Sequence, residues 1–196
     1  MKTESIFKKI LISQTRLKLI SILFYSPGEL YFVRQLVRET GEEINSVRRE
    51  LQNLKSAGII IDEKRGHRLF YSSNPKSIIF NDLLLLAHKN AGLGGSIISK
   101  REKLGNIKML FFSYRYAMKH QKDDSIDLVL VGHVSLNELN NLIKKEENAI
   151  GREINYMVMD KTEFSLRKQK KDQFIVNFFL DNPLVIIGQA QDILNS

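Results

Sequence analysis

The sequence predicts two mixed domains in tandem, an α+β unit of helices closed by a β-hairpin and then a small α/β unit of alternating strands and helices. Three patterns carry that reading. Apolar residues recur at the helical period, with glycine stops, as far as Ala57. Two β-rich runs flank a charged, glycine-containing turn between Ile59 and Tyr71. Beyond a glycine-rich run at Ala91 to Ser96, short apolar strands begin to alternate with helices.

Taken in order, Glu4 to Tyr25 reads as a helix, with Ile6, Ile10, Leu17, Ile20, Leu23 and Phe24 near a 3.6-residue spacing and Ser26-Pro27-Gly28 as its stop. A second helix, Phe32 to Thr40, sets Val33, Leu36 and Val37 against Arg34, Arg38 and Glu39, and Gly41 ends it. The third runs from Ile44 to Ala57 and closes at Gly58. Two short helices joined by a glycine-containing turn are the helix-turn-helix pattern. Ile59-Ile60-Ile61 and Leu69-Phe70-Tyr71 then form a hairpin, the wing of a winged helix-turn-helix domain. After Asn74-Pro75, a helix from Ile78 to Lys89 carries Ile79, Leu83, Leu84, Leu85 and Leu86, more apolar surface than one small domain needs to cover. That spare face, with the apolar excess of the first helix, predicts a homodimer.

The run Ala91-Gly92-Leu93-Gly94-Gly95-Ser96 lacks the Lys-Ser/Thr ending with which a phosphate loop grips its ligand, so it reads as a linker. The expected division is residues 1–90 for the first domain, 91–103 for the linker and 104–196 for the second domain. There, Ile107 to Phe112, Ile126 to Val131, Ile154 to Met159 and Leu184 to Ile187 read as strands. Tyr114 to His120 is a helix or turn, Leu136 to Ala149 a helix, and Phe164 to Phe179 mostly helical.

Composition narrows the function classes. The chain has no cysteine, which excludes a disulfide framework and a thiolate metal site, and its four histidines are scattered; no metal and no cofactor is expected. Gln14, Arg16 and Lys18 interrupt the apolar stretch Ile10 to Tyr25, so it is neither a signal-peptide core nor a membrane span, and a soluble, cytoplasmic protein is expected. The net charge of +8 is uneven: residues 1–91 hold 15 Lys/Arg against 9 Asp/Glu, whereas residues 92–196 hold 15 against 13. A polyanion would therefore meet the first half.

In the third helix Ile44, Val47, Leu51 and Leu54 fall in one arc, the core face. The opposite arc carries Asn45, Arg48, Arg49 and Gln52, with Ser46 beside them. These side chains have the donor and acceptor geometry that reads base edges, Arg to guanine and Asn or Gln to adenine. Any surface helix needs a polar face, but here a wing with Lys64, Arg65, His67 and Arg68 at its tip follows directly. Such cations touch phosphate and set register.

The segments YFVRQLVRETGEEINSVRRELQNLKSAGII and KRGHRLFYSSNP, within Leu17 to Asn74, resemble the winged-helix domains of arsenic-repressor-like (ArsR-type) regulators. Metal-sensing members carry a cysteine pair in the second helix, where this chain has Val33-Arg34-Gln35-Leu36, so thiolate sensing is excluded. From about Leu104 the chain resembles the small nucleotidyltransferase-like domains that some of these regulators carry. Active members place Gly-Ser after the first strand and an Asp-hydrophobic-Asp triplet at the second, to hold two Mg²⁺ ions. Here Phe112-Ser113 stands at the Gly-Ser position, the triplet reads Ser125-Ile126-Asp127, and Asn155 stands where a third acid is expected. Of the neighbouring Asp123 and Asp124, Asp124 would restore a ligand only by a one-residue shift, which turns a strand side chain to the other face.

The resemblance therefore implies a sequence-specific regulator binding double-stranded DNA, with a catalytically silent second domain that leaves a nucleotide or protein ligand open. An enzyme transferring a nucleoside monophosphate is the alternative, and would need the two or three acids that Asp127 alone does not supply. An antitoxin repressing its own operon would use the same DNA-binding residues.

Overall fold

The computed structural model describes residues 13–119 and 125–189. The expectations for Ile6, Ile10, His120, Asp123 and Asp124 lie outside those residues. Two small sheets and the helices around them make a mixed α+β fold, and the chain divides between Ala91 and Gly92 into two units.

In the first unit, helix α1 (Gln14–Tyr25) starts at Ser13, whose hydroxyl accepts the amide of Arg16. Strand β1 (Tyr31–Phe32) leads into α2 (Val33–Thr40), and Gly41 ends that helix in the left-handed conformation, φ 65°, donating to Val37 O. Three residues later begins α3 (Ile44–Ser56). Strands β2 (Ile60–Arg65) and β3 (Arg68–Ser73) form a hairpin in which Arg65 faces Arg68 across Gly66-His67. Gly66 takes φ 60°, the positive value that two-residue hairpin turns need. Strand β1 adds to the far side of β3, pairing Tyr31 with Tyr71 and Phe32 with Phe70. Helix α4 (Phe80–Asn90) packs on α1.

The core of this unit is Leu17, Leu19, Ile20, Leu23 and Phe24 of α1 against Leu36, Val47, Leu51, Leu54, Ile60, Phe80, Leu84 and Ala87. Much of the apolar excess of the first helix is thus spent inside the unit. On α4, Leu84 is buried and Leu83, Leu85 and Leu86 are half-buried, while Ile78 just before it is 99% exposed. One further expectation needs correcting: Ile44, placed on the core face, is only half-buried, whereas Glu50 is buried.

In the second unit the expected linker is helical. Helix α5 (Gly92–Ser99) buries Leu93, Gly94 and Ile97, and α6 (Arg101–Leu104) buries Leu104. The glycines misled the reading because three of them in a row of six look like a flexible tract, whereas the spacing of Leu93 and Ile97 matches one helix face. Strands β4 (Gly105–Phe112), β5 (Leu128–Val134), β6 (Tyr156–Met159) and β7 (Leu184–Ile187) form a sheet in the order β6-β5-β4-β7, with β5 and β6 parallel and the other pairs antiparallel. The β4–β5 register shifts between Ile107 and Met109, and Gly132 (φ 147°) lies opposite; a Cβ there would sit 2.2 Å from Asn106 O.

Helix α7 (Tyr114–Ala117) follows β4, and α8 (Leu136–Ile150) packs on α5. The stretch read as mostly helical, Phe164 to Phe179, holds two helices, α9 (Lys161–Gln169) and α10 (Gln173–Leu180). Lys171 at φ 53° breaks them apart and Asp172 caps the second. Both add aromatic rings to the core on one sheet face, where Phe164, Ile175 and Phe178 meet Met109, Phe111, Val129, Val131 and Met159. Among the described residues, no helix is long and apolar enough to cross a membrane.

Candidate nucleic-acid interface

Helix α3 is held from behind by its buried Val47, Leu51 and Leu54, which turns Asn45, Arg48, Arg49 and Gln52 to solvent and leaves Ser46 half-buried. At the hairpin, Lys64, Arg65, His67 and Arg68 are exposed. Arg48, Arg49, Gln52, Lys64 and His67 make no side-chain hydrogen bond or ion pair among the described residues. Two of the candidates do have partners. Asn45 donates to Glu43 at 3.2 Å, and Arg65 grips Glu63 through Nε (2.9 Å) and Nη2 (3.2 Å). Arg68 lies over the Phe32 ring, 5.4 Å from its centre, and Phe32 in turn packs edge-on to Phe70.

The helix and the hairpin are tied together. Lys55 at the end of α3 pairs with Asp62 of β2 at 2.7 Å, Ile59 N donates to Leu54 O, and Asn74 donates its side-chain amide to Gly58 O. Behind α3, two ion pairs link it and its preceding turn to α1. Arg16 Nε donates to Glu50 at 2.8 Å, and Lys18 Nζ donates to both Glu42 (2.6 Å) and Thr40 O (2.8 Å). Burial raises the Glu50 carboxyl, but hydrogen bonds from Arg16 and Ser13 outweigh it and hold the group below the usual carboxylate range. The Lys18 hydrogen bond does the same for Glu42. Neither acid stood out in the sequence, because a glutamate on a helix, as Glu50 is, or in the turn before it, as Glu42 is, looks solvated until its partner is known.

The second unit brings Ser113, Asp127 and Asn155 together, largely through their main chains. Ser113 N donates to Asp127 O (2.8 Å), Asp127 N to Asn155 O (2.7 Å), and Asn155 N to Asp127 Oδ2 (3.0 Å). The Ser113 hydroxyl accepts the amide of Tyr116 and so caps α7. Asn155 itself is exposed, and Ser125, two residues before Asp127, is half-buried. Both carboxylate oxygens of Asp127 face Arg152, with Nη1–Oδ2 at 2.8 Å and Nη2–Oδ1 at 3.0 Å. The carboxylate side chain is 6% exposed and the arginine 22%. Hydrogen bonding to Asp127 raises the arginine further above its ordinary range, and the guanidinium also lies 5.5 Å from the Tyr116 ring centre. Sequence reasoning missed Arg152. A lone acid expected at the start of a buried strand asks for a cationic partner, and Arg152 just before β6 was the signal.

Among the described residues, no group of three or more His, Cys, Asp or Glu side chains is placed to hold a metal ion. Comparison with known proteins gives no family for this chain: no family profile, no curated protein and no solved structure matches it.

Proposed function

We propose that the chain is a cytoplasmic, homodimeric transcriptional regulator that binds double-stranded DNA in a sequence-specific way, and that its first unit is a winged helix-turn-helix. One observation carries the reading. A helix anchored by Val47, Leu51 and Leu54 presents arginines and amides, unengaged by acids at Arg48, Arg49 and Gln52, beside a hairpin whose exposed tip holds four basic or imidazole side chains. Arg48, Arg49 and Gln52 are suited to base edges, and the hairpin cations to phosphate. The exposed Ile78 and half-buried Leu83, Leu85 and Leu86 favour a second copy as partner.

The second unit is, on this proposal, not a transferase. Two Mg²⁺ ions need several anionic protein oxygens, and the one retained acid, Asp127, already spends both oxygens on Arg152. The test is selection of bound duplexes from random DNA, followed by binding titrations with the recovered site. A pseudo-palindrome with half-sites about one helical turn apart is expected. Arg48→Ala or Arg49→Ala should cost roughly 1–3 kcal/mol at one base position and relax the preference there. If no sequence is enriched and duplex binding shows no salt dependence, the proposal fails.

A further inference from the structure

Glu50 is the one acid of α3, and its surroundings point to a contact that the outward face of the helix does not include. At 100° per residue, buried Glu50 lies at the margin of the core-facing arc, between Leu54 and Ser46, with Arg49 a further 100° round the helix. A group that reaches Glu50 from α1 therefore arrives at the margin of the buried arc, and comes to solvent only through its own exposure. That group is Arg16, whose side chain is 40% exposed while the carboxylate is 6% exposed. Glu50 takes the guanidinium from one side only, through Nε at 2.8 Å. Both terminal amino groups of Arg16 are without a hydrogen-bond partner among the described residues. The contrast with Lys18 is informative, since its single nitrogen is shared between Glu42 and Thr40 O and is structurally committed.

We propose that Arg16 is a further phosphate-contacting residue of the DNA interface, with buried Glu50 as the residue that positions it. The carboxylate fixes Nε and the orientation of the guanidinium plane, and the two remaining NH₂ groups present a fork suited to the paired oxygens of a backbone phosphate flanking the groove. The pair also neutralises an anion that would otherwise lie beside a polyanion. This rests on the DNA-binding reading above.

The experiment is a salt titration of duplex binding by the full chain, with thermal melting of each variant as the folding control. Arg16→Gln should weaken binding roughly tenfold, equally for selected and scrambled duplexes, and lower the slope of log K against log salt by about 0.9. Arg16→Lys keeps the net charge but has one nitrogen to divide between Glu50 and phosphate, so affinity and slope should fall between parent and Gln variant. Glu50→Leu removes an anion, and charge alone would tighten binding; loss of positioning weakens it instead. Folded Arg16 variants with the parent's slope, or tighter binding by Glu50→Leu, overturn the proposal. If Arg16→Gln does not fold, the Lys variant decides by the same criterion. Failure here while Arg49→Ala still relaxes sequence preference would remove Arg16 alone, whereas a parent without salt-dependent duplex binding would remove the interface itself.

Discussion

Replacing Arg152 by alanine would leave the Asp127 carboxylate buried, with the Asn155 amide as its remaining hydrogen-bond donor among the contacts described above. Two charge-assisted hydrogen bonds are lost, each contributing about 1.5–3 kcal/mol where the acceptor is ionised. Removing one partner of a buried ion pair costs about 3–5 kcal/mol. The arginine is partly exposed, at 22%, and the Asn155 amide stays, both of which pull the figure to the lower end. The expected loss is therefore about 3 kcal/mol. An Asp127→Leu/Arg152→Met double variant removes charge from both sides and should recover most of it. Urea unfolding of the full chain, read by hydrogen exchange at β4 and β5 amides, reports on this unit directly. A loss below about 0.5 kcal/mol in Arg152→Ala would refute the structural role of the pair. So would stabilisation of the parent by Mg²⁺ that disappears in Asp127→Ala, because the carboxylate would then be a metal ligand.

Glu63→Gln releases Arg65 from its exposed ion pair and removes an anion from the hairpin tip, so duplex affinity at low salt should rise about threefold; unchanged affinity in a filter-binding or anisotropy titration would argue against phosphate contact by the tip. Gly132→Ala places a Cβ against Asn106 O at a backbone angle that L residues rarely adopt, and should lower stability by about 2–4 kcal/mol in urea unfolding, with an unperturbed midpoint as the contrary result. Glu50 and Glu42 titrate lower in the folded chain than in the unfolded one, so the stability they contribute is present above the ordinary carboxylate range and is lost as the pH falls through it and below. Melting followed by circular dichroism should show that acid-side decline, and it should shrink in Arg16→Gln; a decline of equal size in both would locate it elsewhere.

Periodicity located most elements because their burial is one-sided. Val47, Leu51 and Leu54 repeat at helical spacing, and the strands of the second unit are short, mostly apolar runs, so the helix face and the sheet strands were legible. Two features were not. Strand β1 has two residues, Tyr31 and Phe32, too few for any period to appear, and it exists because β3 offers a free edge. The break at Lys170–Asp172 falls in the polar run Arg167 to Gln173, which a solvated helix face and a turn would both produce; the left-handed Lys171 and the Asp172 cap decide for the turn. Ion pairs were the other blind spot. Glu50–Arg16 and Asp127–Arg152 join residues 34 and 25 positions apart, and only packing brings them together.

The tie between the end of α3 and β2, through Lys55–Asp62 and the Ile59 amide, has a consequence for redesign. It makes the distance from helix to hairpin tip a fixed gauge that none of the outward residues helps to maintain. Arg48, Arg49 and Gln52 can then be exchanged as a set, as one changes the teeth of a key without touching its shank. On the proposed DNA-binding function, variants that keep Lys55, Asp62 and Asn74 should inherit the same footprint length while preferring different bases.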